Sequence, residues 1–257
     1  AIAEGDPERA AMAAISGKSL DELDQLSPEQ QTQLLTTASL FPDALVDSEL
    51  GEVPEGWAVG TLNDLCSLNE KSWTKKNSPD EVWYVDLANT KNGVIEDVQH
   101  YIWAEAPSRA KRILSDGDTI VGTVRPGNRS FSFVGEMGKQ LTASTGFAVL
   151  NPKKPKYREF VFIAATGDEN IDRLAHLADG GAYPAVRPDV VTAMELVIPA
   201  DAVMAAFNRV SKALFDVRDM NLSSDNTFEK LRDTLLPKLL SGELKASPNQ
   251  TKFDKTA

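Results

Sequence analysis

Two histidines and a single cysteine are all the soft metal ligands this chain contains. Neither His100 nor His176 has a cysteine, a second histidine or a carboxylate at the spacing zinc requires, so both read as structural or surface residues. Cys66 has no partner for an internal disulfide, which fits a reducing, cytoplasmic compartment. It stands in the apolar stretch 62–66 (LNDLC) and reads as core filler. No apolar run approaches the roughly 20 residues of a membrane span, and no basic-then-apolar signal pattern opens the chain. Glycine-rich dinucleotide and P-loop motifs are missing. With two histidines no Ser–His–Asp order is compelling. The pair Asp116 and Asp118 flanks Gly117 and suits a β-turn far better than a metal or acid site. The sequence therefore predicts no metal, no cofactor and no catalytic residue in this chain.

A large basic excess is also missing. The net charge is −11, which taken whole argues against nucleic-acid binding. The acidity is local, however. Residues 1–56 hold 12 acidic side chains against Arg9 and Lys18, while residues 57–257 hold 26 acidic against 25 basic. The larger part is neutral on average and can carry a basic face. Without a basic excess, tight DNA binding calls for help from a partner's charge.

In the first 40 residues the capping signals are strong. Asp6 with Pro7, Ser19, and Ser27 with Pro28 each start a short helix, and Gly17 ends the first. This acidic, helical segment, residues 1–50, is either a docking surface or a spacer. The chain opens on Ala1, so it is expected to be processed, trimmed or the later half of a longer protein. Residues 51–57 (GEVPEGW) form a turn-rich lead-in, with Trp57 as an anchor. Residues 51–200 form the next domain. Its short strands are predicted near 59–62, 82–87, 120–124, 131–134 and 146–150, with Lys91-Asn92-Gly93 as a turn. A helix is predicted over 157–178, with its apolar positions continuing past Gly167.

Two loops carry binding chemistry. Between Val124 and Phe131, Pro126 and Gly127 fix a backbone from which Arg125, Asn128, Arg129 and Ser130 project. These are donors of the kind that read base edges and phosphates. Arg125 also has a structural reading, as an ion-pair partner beside a strand end. The second loop sets Lys71, Lys75 and Lys76 around Trp73, a composition suited to phosphate contact with apolar or stacking support, or to a solvated loop. Gly180 and Gly181 permit a tight turn that presents Tyr183, with Arg187 behind it.

From Ala202 the pattern changes. Val203, Phe207, Val210, Leu214, Val217, Asn221, Phe228, Leu231 and Leu235 keep a heptad register, with Asn221 as the polar residue that fixes pairing. A helix over about 202–236 is roughly 50 Å long, too long for a compact domain to cover. Pro237 is expected to end or kink it, and Gly242 to stop the continuation. Pro7, Gly17 and Pro28 interrupt residues 1–40, so the matching helix must come from another chain. The spacer helix is assigned to 201–245 and a disordered tail to 246–257.

Several stretches together resemble the specificity subunits of type I restriction–modification systems: 108–128 (SRAKRILSDGDTIVGTVRPGN), STGF (144–147), GGAYPAV (180–186), VIP (197–199) and LRDTLLPKLLSGEL (231–244). The segment 41–57 matches the lead-in to such a domain. The resemblance covers about residues 41–245. It implies an α/β (α+β) target-recognition domain, followed by a long helix of coiled-coil type and preceded by a short helical segment. It implies a non-catalytic subunit that reads one half of a bipartite site on double-stranded DNA. In that family paired helices hold two recognition domains apart and seat the methyltransferase subunits. Partners would then be a type I methyltransferase subunit binding S-adenosylmethionine, and a restriction (motor–nuclease) subunit using ATP and Mg. A second copy, or an upstream half, would pair with the helix. The nearest string here to a methyltransferase's own Asn/Asp-Pro-Pro-aromatic loop is Asn151-Pro152-Lys153-Lys154, which lacks the second proline and the aromatic. Two readings from other classes remain: a protein-interaction adaptor built on the helix, and a small-molecule enzyme using the Asp116/Asp118 turn.

Overall fold

The computed structural model describes residues 6–136, 138–178 and 184–244. The Gly180-Gly181 loop with Tyr183 and the tail from residue 246 lie outside the described residues. Three helices open the chain: α1 (Pro7–Ser16), α2 (Leu20–Asp24) and α3 (Pro28–Ala38). Their caps follow the expected residues. The Asp6 carboxylate accepts from the Arg9 N–H, Ser19 and Ser27 each form a capping box, and Gly17 closes α1 at φ 67°. Met12, Leu23 and Ala38 form a small core of their own between these helices.

A hairpin follows, β1 (Leu45–Ser48) and β2 (Gly51–Pro54), where the sequence suggested only turns. Strand β2 has one buried residue, Val53, so its alternation is too short to stand out. Trp57 packs its ring 6.0 Å from that of Phe41. Then come β3 (Ala58–Thr61), the single turn α4 (Leu62–Leu65), β4 (Cys66–Leu68), β5 (Glu81–Val85), β6 (Thr90–Lys91) and β7 (Val94–Ile95). The last two form a tight hairpin on Asn92 and Gly93, both at positive φ, as the turn signal required. Strands β8 (Gln99–Ile102), β9 (Ala110–Ile113), β10 (Thr119–Gly122), β11 (Phe131–Phe133), β12 (Leu141–Ser144) and β13 (Phe147–Pro152) complete the two main sheets.

The first sheet runs β11-β10-β13-β4 and is antiparallel throughout; the second runs β8-β5-β12-β9, with β5 and β12 parallel. Residues of β10 and β13 alternate between two cores. Val121, Ala148 and Leu150 face the helices, while Ile120, Phe147 and Val149 face the second sheet. Burial on both faces is why these strands read as unbroken apolar runs. Strands β8, β9 and β12 gave no such run. Thr142 and Ser144 are buried polar residues, and β8 leaves His100 and Ile102 exposed.

The predicted helix over 157–178 is two helices, α5 (Arg158–Thr166) and α6 (Asp168–Ala178). Gly167, at ψ 147°, turns extended between them, so the apolar register carries on while the backbone bends. The short α7 (Pro188–Thr192) and β14 (Glu195–Ile198), which pairs with β3, lead into α8 (Asp201–Leu240). Helix α8 continues through Pro237, whose carbonyl still accepts from the Ser241 N–H, and it is Gly242, at φ 75°, that turns the chain. The described residues fall into two compact units, divided between Lys212 and Ala213. In the first unit, the opening turns of α8 bury Val203, Met204, Ala206 and Ser211 and set Phe207 edge-on to Phe160 at 5.8 Å. Among the described residues no helix is long and apolar enough to cross a membrane.

Candidate nucleic-acid interface

Four of the stretches singled out in the sequence are brought to one end of the two sheets. Strand β10 leaves the sheet at Gly122, and Thr123 then donates both its N–H and its hydroxyl to the Gly146 carbonyl, at 2.9 and 2.8 Å. This ties the 123–130 loop to the STGF turn. Thr145 donates its N–H to the carbonyl of Arg109 at 2.9 Å, which adds the start of β9. On the other side Val124 bridges Ala185, Val186 donates to Thr123, and Arg125 donates its N–H to Pro184 at 2.9 Å.

Within the loop, Pro126–Asn128 makes one 3-10 turn. Arg125 before it and Arg129 after it have φ of 47° and 59°. Two bulky residues in the left-handed region mark a strained loop, held here by the bonds just described. Gly122 is needed for closure, since its N–H donates to Ser130 at 2.7 Å and a Cβ there would stand 2.8 Å from the same carbonyl oxygen.

The predicted contact residues divide by what they already touch. The Arg125 and Asn128 side chains are exposed and line, with Leu87, Ala88, Val124 and Ser130, a cleft of about 260 Å³. Ser130 spends its hydroxyl on the Leu87 carbonyl at 3.0 Å. Arg129 is half-buried, bonded to Asn92 at 3.1 Å and to Asp168 at 2.5 Å, with its guanidinium 5.5 Å from the Phe131 ring centre. Arg187 is exposed and paired with Asp189 at the start of α7. Lys71, Lys75 and Lys76 are exposed, but Trp73 does not stand out among them as a stacking surface: its Nε1 donates inward to Thr142 at 2.9 Å. The bridge between Ser72 and Arg112 runs this segment antiparallel to β9, which carries the Thr74–Asn77 turn toward the Arg109 end. Arg109, exposed at that end, was not singled out from sequence. Its place in the SRAKR stretch was the available signal.

The remaining titratable groups have structural settings. Asp118 is buried, accepts from the Ser115 N–H at 2.7 Å, and is bonded to Asn151. Burial pushes its carboxyl up to about 6, against the pull of those hydrogen bonds and of Lys71. A Cβ on neighbouring Gly117 would overlap Arg158, so the turn is packed shut rather than opened toward a substrate. Burial likewise pushes the Cys66 thiol up to about 12, in keeping with a core residue. His100 stacks on Trp83 at 4.4 Å and bonds Glu81. Among the described residues no three His, Cys, Asp or Glu side chains are grouped to hold a metal. Along α8 Val210, Leu214, Val217, Phe228, Leu231 and Leu235 are exposed, and Asn221 with them.

No family model matches the sequence. It is 25% identical over 252 residues to the type I restriction enzyme HindI specificity subunit of Haemophilus influenzae, covering 92% of this chain and 54% of that one. To the MjaIX specificity subunit of Methanocaldococcus jannaschii it is 22% identical over 202 residues, 76% of this chain and 46% of that one. A solved structure from work on complex assembly and conformational transition of a type I restriction–modification system superposes with a TM-score of 0.52. It is 25% identical, over 73% of this chain and 50% of that one. The chain is thus similar to type I specificity subunits along most of its length. Its mixed helix-and-strand body with a long C-terminal helix resembles their fold. It spans about half the length of the curated relatives it matches.

Proposed function

We propose that this chain is a sequence-specific DNA-recognition part of a type I restriction–modification complex, reading one half of a bipartite site on double-stranded DNA. The observation that carries the reading is the loop 123–130. It is braced on four sides by backbone hydrogen bonds, yet leaves Arg125 and Asn128 projecting and free of hydrogen bonds to other described side chains. A rigid loop with an unengaged Arg and Asn suits bidentate pairing to guanine and adenine edges, each pair adding about 1–3 kcal/mol of discrimination. Behind them, Lys71, Lys75, Lys76, Tyr183 and Arg187 are taken as further base or phosphate contacts.

The recognition domain is taken as 51–200, the acidic connector as 1–50, the spacer helix as 201–245 and the tail as 246–257. The exposed apolar line along α8 supports pairing with a second copy or an upstream half, and docking of the methyltransferase subunit. Chemistry then belongs to the partners: methylation with S-adenosylmethionine, and cleavage by the ATP- and Mg-dependent restriction subunit. The complex works in the cytoplasm.

The test is a map of adenine methylation in cells carrying the cognate methyltransferase, with and without this chain. A split motif that appears only with the chain is expected. An unchanged map would favour the adaptor reading. With Arg125→Ala, the motif should relax at one position.

A further inference from the structure

Arg112 was not among the residues assigned to DNA, and its surroundings are unusual for a folded arginine. It lies on β9, which closes one side of the second sheet, opposite Ala143 and bridged to Ser72. The side chain is half-buried, and its Nε is buried without a hydrogen-bond partner among the described residues. Its one side-chain hydrogen bond runs from an Nη to the Ser72 hydroxyl at 3.1 Å. Among the described residues no carboxylate pairs with it; Arg109, Arg125, Arg158 and Arg173 also lack an ion pair there, but Arg112 is the arginine whose Nε is buried without a partner. Burial lowers its pKa from the ordinary arginine value, with nothing acidic opposing the shift.

A guanidinium stays charged in a protein, and removing that charge from water without a counter-charge is costly. Its described neighbours are the neutral Ser72 hydroxyl and Ala143 across the strand pair, and burial is what acts on the charge. Among the described residues the site has no anion, and Arg112 stands on the strand whose start joins the candidate interface through Arg109.

We propose that Arg112 is a phosphate anchor: a half-buried guanidinium, held by Ser72 and lacking a counter-charge, that closes on a backbone phosphate of the bound duplex. This rests on the DNA-recognition reading and adds to it a positioning contact, distinct from base reading at Arg125. A phosphate contact carries no sequence information and is read through counterion release.

The test uses the full chain with its methyltransferase partner, short cognate and random duplexes, and a salt titration. Arg112→Met keeps the stem and removes the charge. It should weaken binding to both duplexes by the same factor and lower the magnitude of the slope of log K against log salt by about one. The same variant should leave the Tm of the free chain unchanged or raised, since it removes an uncompensated charge. An unchanged slope overturns the proposal, whatever the Tm, and so does a loss confined to the cognate duplex. A wild-type complex that binds neither duplex overturns the DNA-recognition reading with it.

Discussion

Arg129 and Asp168 meet at 2.5 Å, and the pair fastens the end of the 123–130 loop to the first turn of α6. Asp168 is 81% exposed, so the pair contributes no more than about 1 kcal/mol to stability. Its consequence is positional. If Arg129 acts through this pair, Arg129→Ala and Asp168→Ala should weaken cognate binding equally, and the double variant no further. Loss in Arg129→Ala alone would make the residue a direct contact. Binding titrations of the three variants decide it.

Asp118 makes stability depend on pH. Its folded carboxyl titrates at about 6, above the ordinary 3.8, so the neutral acid is the form the fold prefers. That preference is fully present below about pH 4 and is lost as pH rises through about 6. Asp118→Asn keeps an acceptor for the Ser115 N–H. It should flatten the Tm profile between pH 4 and 6 and raise stability at pH 7, by something on the order of 3 kcal/mol. A wild-type profile that does not fall over that range would remove Asp118 as its source.

Gly122 sets how closely the recognition loop returns to its strand. A methyl group there meets the Ser130 carbonyl, which is backbone and cannot swing away. Gly122→Ala should cost about 1–3 kcal/mol in chemical denaturation. Gly146→Ala meets only the end of the Leu87 side chain and should cost less. Equal losses would show that the loop backbone yields.

The apolar line on α8 should govern assembly. Leu214 and Val217 are 66% and 49% exposed and lie beyond the turns that pack on α5. In light scattering the wild-type chain should form a concentration-dependent dimer, and Leu214→Asp with Val217→Asp should leave a monomer of unchanged Tm for the recognition domain. A wild-type chain that stays monomeric would assign this line to a different subunit.

What the sequence determined by itself was local. Caps at Asp6, Ser19 and Ser27, the Asn92-Gly93 turn and the heptad register from Val203 each act within a few residues, and the chain forms helices and a hairpin at those places. The likeness to specificity subunits was also legible, because it lay in the order of short motifs. Tertiary structure decided which motifs meet. Nothing in the spacing of residues 109, 123, 145, 146 and 186 shows that hydrogen bonds link their backbones, since those bonds join segments far apart in the chain. It decided, too, that Arg129 has an acidic partner and Arg112 has none among the described residues, and that Trp73 turns inward. Charge and side-chain type are written in the sequence. Whether a charge is neutralised depends on which distant residue folding brings beside it, and that is a property of the packed chain.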